Sequence, residues 1–537
     1  HGAVFYALYV AGEAGAVQVV VNDGTFVTEG KQTAVLVGNS NDGGLKEQAV
    51  LQIRGGQFSA PEGIPAYKVD VALGGLNITG GTFSSKVDEQ YLAEGYVQNA
   101  NGEVGSREEM MVAEVTTAEG VEQYTSLAEA VEAAADKSVI TLLKDTEGDG
   151  IVIDTSKKNL TIDFNTHSYT VSGSTVGSSG TETNAFQFLT GGSLTLKNGS
   201  IIFANQKTLL IGLQNYCNLT LENMVIDASQ ASAPCQYAIS NNCGTVQFIG
   251  NTSIKAYKNQ TAFDSCKFGS YEIPTVKINT TGTITGDIEL SGGKLEISAG
   301  TFEGNIRTVS GYTEGDAIIT GGTFSSDVSD YLAKGFSLIA NSDGTFGVDR
   351  LNESNAAAVV NGTYYGTLAE AVGAAQDGQT VTVLKDLATA PVTTSAGITL
   401  DLDGHTLRIV SDTSGVAYGL QFTAGTGVVK NGTVIDMRGE GKTAQNMIAL
   451  NVTGATKVTT SSVEFQTYQP RTLASPYYNK VVEVSDGGTL TLDAGTVLRD
   501  LPNGDDNDET YGAIGVSIMG AGEESAPTTL TVNEGTR

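Results

Sequence analysis

Short runs in which apolar and polar residues alternate recur along the chain, separated by turns rich in glycine and asparagine. Alternation with a period of two places apolar side chains on one face of a β-strand. Five such runs begin 25, 27, 30 and 19 residues apart, at 194–196, 219–221, 246–248, 276–278 and 295–297. This spacing is typical of the stacked coils of a solenoid, whereas the strands of a β-sandwich recur about every 8 to 12 residues.

A single coil cannot bury its own inner face, so neighbouring coils must cover it. We therefore expect Val, Leu, Ile and Phe to line up inside, with Thr, Ser and Lys outside. Asn198, Asn223 and Asn251 follow three of the runs. Asparagine tolerates left-handed backbone geometry and can bond to its counterpart one coil away. It is also a common turn residue, and both interpretations are structural.

A longer repeat of 241 residues overlies this pattern. The phrase Leu-Ala-Glu-Ala-Val occurs at 127–131 and 368–372, and Gly-Gly-Thr-Phe-Ser-Ser occurs at 80–85 and 321–326. The first phrase begins a unit and the second ends one, so we expect the parent protein to continue at both ends. The predicted domains are the C-terminal part of one module at 1–105, a complete module at 110–350 and the N-terminal part of a third at 351–537.

Both repeated phrases are typical of caps on a stack of coils, whose open ends would otherwise expose unpaired backbone groups. Ser126 and Glu129 have the spacing of a capping box, and Leu127, Ala130, Val131 and Ala134 form one apolar helical stripe. We expect a short helix at the start of each module. The run 330–335 predicts a helical turn stopped by glycine, followed by a hairpin around 341–344.

With these features the chain resembles the pectate-lyase-like right-handed parallel β-helix superfamily, as found in large surface adhesins of Gram-positive gut bacteria. The Leu-Ala-Glu-Ala-Val helices, the phrases at 160–167 and 398–405, and the Gly-Gly-Thr-Phe-Ser-Ser endings carry this resemblance. It implies an all-β fold of right-handed parallel β-helix (β-solenoid) modules in tandem, each with an N-terminal capping helix and a C-terminal helical turn plus hairpin. It also implies an extracellular location, secreted or at the cell surface. It does not specify an activity, because this fold carries enzymes, adhesins and passive stalks.

Sixty acidic and 30 basic residues give a net charge of −30. This charge repels nucleic-acid phosphates and anionic membrane surfaces, so we expect no nucleic-acid partner. No run of 18 apolar residues is present, so we expect no membrane insertion in this segment. The four cysteines, Cys217, Cys235, Cys243 and Cys266, fit no zinc or redox motif and indicate either buried free thiols or a local disulfide.

Two histidines occupy equivalent places, each four residues after an aspartate, as the pairs Asp163/His167 and Asp401/His405. Such a pair is suited to acid–base chemistry or metal binding. Strand alternation, however, sends these polar side chains to one face and Ile162 and Phe164 to the other, which is ordinary solenoid patterning. We favour the structural interpretation and predict no catalytic, cofactor-binding or metal site there.

The run Gly504-Asp505-Asp506 matches one short motif of polygalacturonase-type glycosidases, but the other motifs of that family are missing. We interpret Asp505 and Asp506 as part of a solvated acidic loop whose carboxylates suit weak Ca²⁺ binding. Tyr477 and Tyr478 lie in a loop flanked by proline, and exposed tyrosines can stack on sugar rings or anchor a protein interface. These four residues form the predicted ligand-binding surface.

The sequence therefore favours a non-catalytic extracellular protein, a modular stalk or adhesin that presents a binding face to glycans, host proteins or other cells. Repetition supports this reading, because an array gains reach and multivalency whereas an enzyme needs one site. The alternative is a polysaccharide-active enzyme of the β-helix type, either a glycoside hydrolase or a lyase. A cleft with converging carboxylates would favour the alternative.

Overall fold

A computed structural model describes residues 6–12, 15–38, 47–156, 158–204, 209–231, 235–410, 418–438, 447–468, 479–502, 513–520 and 527–537. In these residues the protein is all-β, with parallel strands in several sheets and short helices beside them. The chain divides into two compact units. The first comprises His1–Ile318 with Gly322–Ser326, and the second comprises Ile319–Gly321 with Asp327–Arg537. The division into three modules stays a prediction.

The first part of unit 1 contains three small parallel sheets around one hydrophobic core. The first two consist of Leu8–Val10, Val35–Val37 and Tyr67–Val69, and of Val17–Val21, Ala49–Ile53 and Gly74–Ile78. The third has the parallel strands Thr25–Val27, Gln57–Ser59 and Gly81–Phe83, followed by the antiparallel strands Glu103–Ser106 and Tyr96–Gln98.

A long sheet runs through the rest of unit 1. It begins with the antiparallel strands Gly120–Tyr124, Ala113–Thr117 and Val139–Leu142. Parallel strands follow in the order Leu160–Asp163, Ser193–Phe203, Asn218–Asp227, Thr245–Gly250, Thr275–Thr285, Lys294–Glu303 and Thr323–Phe324. Shorter strands that pair beside this path are Thr146–Gly148, Ser168–Val171 and Ser253–Lys255.

A second sheet of unit 1 contains the strands that the chain forms between its visits to the long sheet. All of its neighbouring strands are parallel: Ile151–Ile153, Asn184–Phe188, Ile211–Asn215, Tyr237–Asn241, Thr261–Cys266, Asp287–Ser291 and Ile306–Thr308. The chain thus alternates between two sheets, and each strand pairs with the strand formed one passage earlier.

The five runs that the hydrophobic pattern identified lie side by side in parallel. Leu194 pairs with Leu219, Leu219 with Val246, Val246 with Val276, and Val276 with Leu295. These five side chains are at most 1% exposed, while intervening residues such as Thr195 and Thr220 are half-buried. The predicted inner row of aliphatic side chains and outer row of polar ones is therefore confirmed.

Asparagines at the bends between strand segments form a hydrogen-bonded ladder. Asn198 and Asn223 have positive φ angles of 60° and 54°. Asn223 Nδ2 donates to Asn198 Oδ1 (3.3 Å), and Asn198 Nδ2 donates to Asp163 Oδ1 (3.1 Å). At the next bend Gly250 takes the positive φ, and the backbone N–H of Asn251 donates to Asn223 Oδ1. The predicted ladder is confirmed, with Asn251 joining through its backbone.

The short helices form where the sequence predicted them, but the capping box predicted at Ser126 and Glu129 is only half formed, because the Glu129 carboxylate accepts the Thr125 hydroxyl. The equivalent Thr367 and Glu370 form the complete box. Helix α1 (Arg107–Met110) is a single turn, whereas α2 (Leu127–Ala133) and α3 (Leu368–Ala374) are the repeated apolar helices. Ser126 Oγ accepts the Glu129 N–H, and Leu127, Ala130 and Val131 are buried. Lys158 Nζ donates to the carbonyls of Val131 and Ala134 at the end of α2, which satisfies acceptors that a helix end leaves free.

The repeated Gly-Gly-Thr-Phe-Ser-Ser phrases place a phenylalanine on a stack of aromatic rings. Phe26, Phe58 and Phe83 stack with ring centroids 5.0 and 4.9 Å apart, and Phe302 stacks on Phe324 at 4.7 Å. Glycine is required beside the first stack, because a Cβ on Gly80 would lie 2.2 Å from the Arg54 carbonyl oxygen. The phrase therefore combines a close backbone approach with a buried aromatic contact.

Unit 2 repeats the arrangement of a long sheet and a second sheet. The long sheet has the order Thr363–Tyr365, Ala358–Val360, Thr380–Val383, Thr399–Asp401, Thr426–Asp436, Lys457–Tyr468, Thr489–Leu492 and Thr529–Val532, with Leu387–Thr389, Thr406–Ile409 and Val497–Leu501 beside it. The second sheet contains Val392–Thr394, Tyr418–Phe422, Ile448–Thr453, Lys480–Ser485 and Ile514–Met519. One hydrophobic core extends through the unit.

The predicted helical turn and hairpin are present in unit 2. A 3₁₀ turn at Ser329–Tyr331 precedes Gly335, whose φ is 86°. The antiparallel hairpin of Phe336–Ala340 and Phe346–Arg350 follows. Among the described residues, every helix is too short to cross a lipid bilayer.

Replacing one inner leucine should measure the cohesion of the stack. Leu221 is fully buried between Leu196 and Phe248 on the neighbouring strands. We expect Leu221→Ala to lower the free energy of unfolding by about 2–5 kcal/mol, because it removes buried methyl groups and leaves a cavity. The adjacent outward substitution Thr220→Ala should cost less than about 1 kcal/mol. Equal urea midpoints for the two variants would contradict the assigned faces.

A second test separates the backbone requirement of the asparagine ladder from its hydrogen bonds. Asn223→Ala places a Cβ-bearing residue without a side-chain amide at positive φ, whereas Asn223→Gly loses the same amide bonds but suits that geometry. We expect the alanine variant to be less stable than the glycine variant by about 1 kcal/mol. The measurement is urea unfolding of both variants, and a more stable alanine variant would refute the role of the bend.

Candidate functional site

The predicted ligand-binding residues Tyr477, Tyr478, Asp505 and Asp506 lie outside the described residues. Their role in binding, including weak Ca²⁺ binding at the acidic loop, stays a prediction. Among the residues that the structure describes, no group of three or more His, Cys, Asp or Glu side chains is arranged to hold a metal ion.

The histidines pair with different aspartates from those suggested by the sequence. His167 Nδ1 lies 3.5 Å from Asp145 Oδ1, and Asp163 forms an ion pair with Lys197 (3.2 Å). The strand ends at Asp163, and Asn165 and Thr166 have positive φ angles that redirect the chain before His167. Strict alternation therefore does not extend to His167, and this part of the prediction was wrong.

The same pairing recurs in unit 2, where His405 Nδ1 faces Asp386 (3.6 Å) and Asp401 pairs with Lys430 (3.0 Å). Burial raises the pKa of Asp401, but hydrogen bonds from Lys430, Asn431 and the Asp403 N–H outweigh it, and the pKa lies below its ordinary value. An ionised carboxylate held by three donors stabilises the bend. In both motifs the aspartate thus forms an ion pair with a lysine of the next strand in the long sheet, and the histidine contacts a different aspartate.

A row of polar side chains crosses the second sheet of unit 1. Gln187 pairs with Gln214, Gln214 with Ser240, and Glu289 with both Asp264 and Arg307. Ser240 Oγ donates to Asp264 Oδ2 (3.1 Å), which completes the row. We call these six residues the polar row. Unit 2 has a similar series, in which Gln421 Nε2 donates to Asn451 Oδ1 and Asn451 Nδ2 donates to Glu483 Oε1.

Asp264 is the most deeply buried acid of the polar row. Its Oδ1 accepts the backbone N–H of Asn241 (2.6 Å) in addition to the bond from Ser240. Burial raises the pKa of this carboxyl to about 7, despite the hydrogen bonds from Asn241 and Ser240 that favour the charged form. Because its side chain is enclosed, Asp264 contributes to the cohesion of the sheet and does not face a ligand.

A groove lies beside the glutamine end of the polar row and has a volume of about 610 Å³. We call it the aromatic groove. Its floor is formed by Asn184, Gln187 and Gln214, and one wall carries Tyr216, Phe268 and Tyr271. Hydroxyl or carboxylate groups come from Asp154, Ser156, Ser178, Thr181, Thr183 and Thr190, and Leu189 and Ile211 complete the lining. The volume is in the range of about 300–1,000 Å³ that is common for small-molecule sites.

Stacking of successive strands brings the three aromatic residues together. Tyr216 directly follows the strand Ile211–Asn215, whereas Phe268 and Tyr271 follow the strand Thr261–Cys266. The Tyr216 ring lies 5.2 Å from that of Tyr271 and 6.1 Å from that of Phe268. Phe268 and Tyr271 are nearly parallel, at 21°, and are 50% and 43% exposed. Such a wall offers π faces to a flat apolar partner.

The amides on the groove floor have a fixed orientation. Gln214 Oε1 accepts hydrogen bonds from both Asn184 Nδ2 (2.9 Å) and Gln187 Nε2 (2.8 Å). Because two N–H groups point at this atom, it must be the oxygen of the Gln214 amide and not its nitrogen. The amide nitrogen of Gln214 (Nε2) can therefore donate to a ligand, and the amide oxygen of Gln187 (Oε1) can accept from one. The floor therefore presents one donor and one acceptor on neighbouring strands, about 4.8 Å apart in strand spacing.

The described part of the groove carries few charged side chains. Asp154 supplies a carboxylate, and none of the described lining residues is Lys or Arg. Burial raises the pKa of Tyr216, so its hydroxyl stays a neutral hydrogen-bonding group. The site is thus suited to an uncharged polar ligand with an apolar face.

All four cysteines are unpaired thiols, which decides between the two alternatives that the sequence left open. Burial raises the pKa of both Cys217 and Cys235 to about 12, so these thiols stay protonated and unreactive at neutral pH. They pack as small apolar side chains.

Comparison with known proteins gives no match to a family model, to a curated protein or to a solved structure.

The buried acid of the polar row predicts a pH-dependent stability. The folded chain binds the Asp264 proton more tightly than the unfolded chain, whose aspartate pKa is near 3.8. The stability from this proton is therefore complete below about pH 4 and is lost as the pH rises to about 7, a change of up to about 4 kcal/mol. We expect Asp264→Asn to remove this part of the pH dependence.

Urea unfolding of both proteins from pH 4 to pH 8 is the measurement. The difference between their free energies of unfolding should change across this interval. The variant should become more stable relative to the natural chain as the pH rises. A difference that is constant with pH would show that Asp264 titrates normally and would contradict its enclosed position.

Proposed function

We propose that the two-sheet arrangement of both units is a right-handed parallel β-helix. The chain alternates between two sheets, and each strand pairs in parallel with the strand one passage earlier, as coils of a solenoid do. Right-handed crossovers account for about 98% of connections between parallel strands of one sheet, which supports this handedness. The resemblance of the capping phrases to β-helix surface proteins points the same way.

We further propose that the protein is a non-catalytic extracellular stalk or adhesin that presents binding surfaces to glycans, host proteins or other cells. The observation that carries this proposal is the in-register ladder of Leu194, Leu219, Val246, Val276 and Leu295. A ladder of this kind makes a rigid, extensible body whose outward rows can form long binding faces. The acidic surface favours solubility in such a setting.

The alternative function, cleavage of a polysaccharide, requires two carboxyl groups that face one cleft about 5 to 10 Å apart. In the aromatic groove the described lining residues supply one carboxylate, Asp154. Asp264 is buried and does not line the groove. In the aromatic groove, these positions favour capture of a ligand over hydrolysis.

A combined binding and turnover assay tests the proposed function. The purified chain is applied to a glycan array, to mucin and to intact bacterial and epithelial cells, while a reducing-end assay follows the same polysaccharides. We expect retention on at least one of these surfaces without release of new reducing ends or unsaturated products. Catalytic turnover with any polysaccharide would favour the enzyme and overturn the proposal.

A further inference from the structure

We propose that the aromatic groove of unit 1 binds an uncharged oligosaccharide, with sugar rings stacked on the wall formed by Phe268 and Tyr271 and hydroxyl groups bound by Gln187 and Gln214. The inference rests on the proposed function and names the ligand class for one of its surfaces.

The wall provides the apolar half of the recognition. Phe268 and Tyr271 expose about half of their side chains although each also contacts another ring of the trio. Sugar rings have an apolar face of C–H groups that fits against an aromatic face, and aromatic side chains lose little conformational entropy when they are covered. Their rings stack with centroids 6.3 Å apart, and both residues keep exposed area for contact with a sugar.

The floor provides the polar half. A sugar hydroxyl both donates and accepts hydrogen bonds. The available donor on Gln214 and the acceptor on Gln187 are held in place by their own mutual hydrogen bond, so a pair of adjacent hydroxyls can bind without reorganising the site. Hydroxyl side chains at the rim, such as Thr183 and Thr190, offer further partners.

The charge of the chain and the chemistry of the described lining residues favour an uncharged ligand. Uronic-acid or sulfated glycans would approach a chain of net charge −30, and the described lining residues include no Lys or Arg to bind their anionic groups. A cationic ligand would favour a cage of aromatic faces around its charge, whereas here Phe268 and Tyr271 lie nearly parallel on one wall. The lining therefore favours a neutral sugar.

Binding of defined oligosaccharides tests the inference. Maltoheptaose, cellohexaose, xylohexaose and mannohexaose serve as uncharged probes, oligogalacturonate as the anionic probe and chitosan oligomers as the cationic probe, with affinity measured by calorimetry. A neutral-glycan array extends the first set. We expect at least one uncharged oligosaccharide to bind, and the charged probes to bind at least tenfold more weakly.

Variants locate the binding site. Tyr271→Ala removes one stacking face, and Gln214→Glu keeps the acceptor for Asn184 and Gln187 but replaces the free donor with a second acceptor. Each should weaken binding of the neutral oligosaccharide by about tenfold. Tyr9→Ala is the matched control, because Tyr9 is a similarly exposed tyrosine (45%) of unit 1 outside the groove, and it should leave the affinity unchanged. Circular dichroism confirms that all three variants are folded.

Preferential binding of an anionic or cationic probe would overturn the inference, as would the absence of binding by every neutral glycan. Neutral binding that is unaffected by both groove variants would also overturn it, although the proposed function would stand with a different surface. Release of reducing ends from a neutral oligosaccharide would instead refute the non-catalytic function while leaving the location of the site intact.

Discussion

The structure depends on one constraint, which is that short strands must pair in parallel and in register from one passage of the chain to the next. No single passage encloses a core, so the inner aliphatic side chains lose contact with water only because the neighbouring passage covers them. Leu194, Leu219 and Val246 show this arrangement, since each is buried by its counterparts on adjacent strands. The bends, the caps and the groove all follow from keeping this register.

Register also explains how polar side chains are tolerated inside the sheets. Because equivalent residues recur at about the strand spacing of 4.8 Å, an amide or hydroxyl at one level meets a partner at the next. The asparagine ladder at Asn198 and Asn223 and the glutamine pair at Gln187 and Gln214 are examples. Mutational measurements give a cost of about 1–3 kcal/mol for each such group that is buried without a partner. For Asp264 such partners are not sufficient. It accepts hydrogen bonds from Ser240 and Asn241, yet burial still disfavours its ionised form.

The sequence predicts the long sheet and the caps well, since its strands alternate and its helices carry capping residues and an apolar stripe. It does not reveal the second sheet, where strands such as Asn184–Phe188 are buried throughout and lack alternation. The aromatic groove was missed because Tyr216 and Tyr271 are distant in sequence and meet only through stacking. The pairing of His167 with Asp145 was missed for the same reason. Gln187 and Gln214 each follow apolar residues as the fourth residue of a five-residue strand. This recurrence is the signal in the sequence that could have indicated the polar row.

Distances between outward positions of the long sheet test the account most directly. Thr161, Thr195, Thr220, Gln247 and Lys277 occupy successive strands at one level of the register. With native cysteines replaced by alanine and spin labels at Thr161 and one further position, pulsed electron paramagnetic resonance should give about 14 Å to Gln247 and about 19 Å to Lys277, an increase of about 4.8 Å per strand. Distances that do not rise with strand number would contradict the in-register parallel stack.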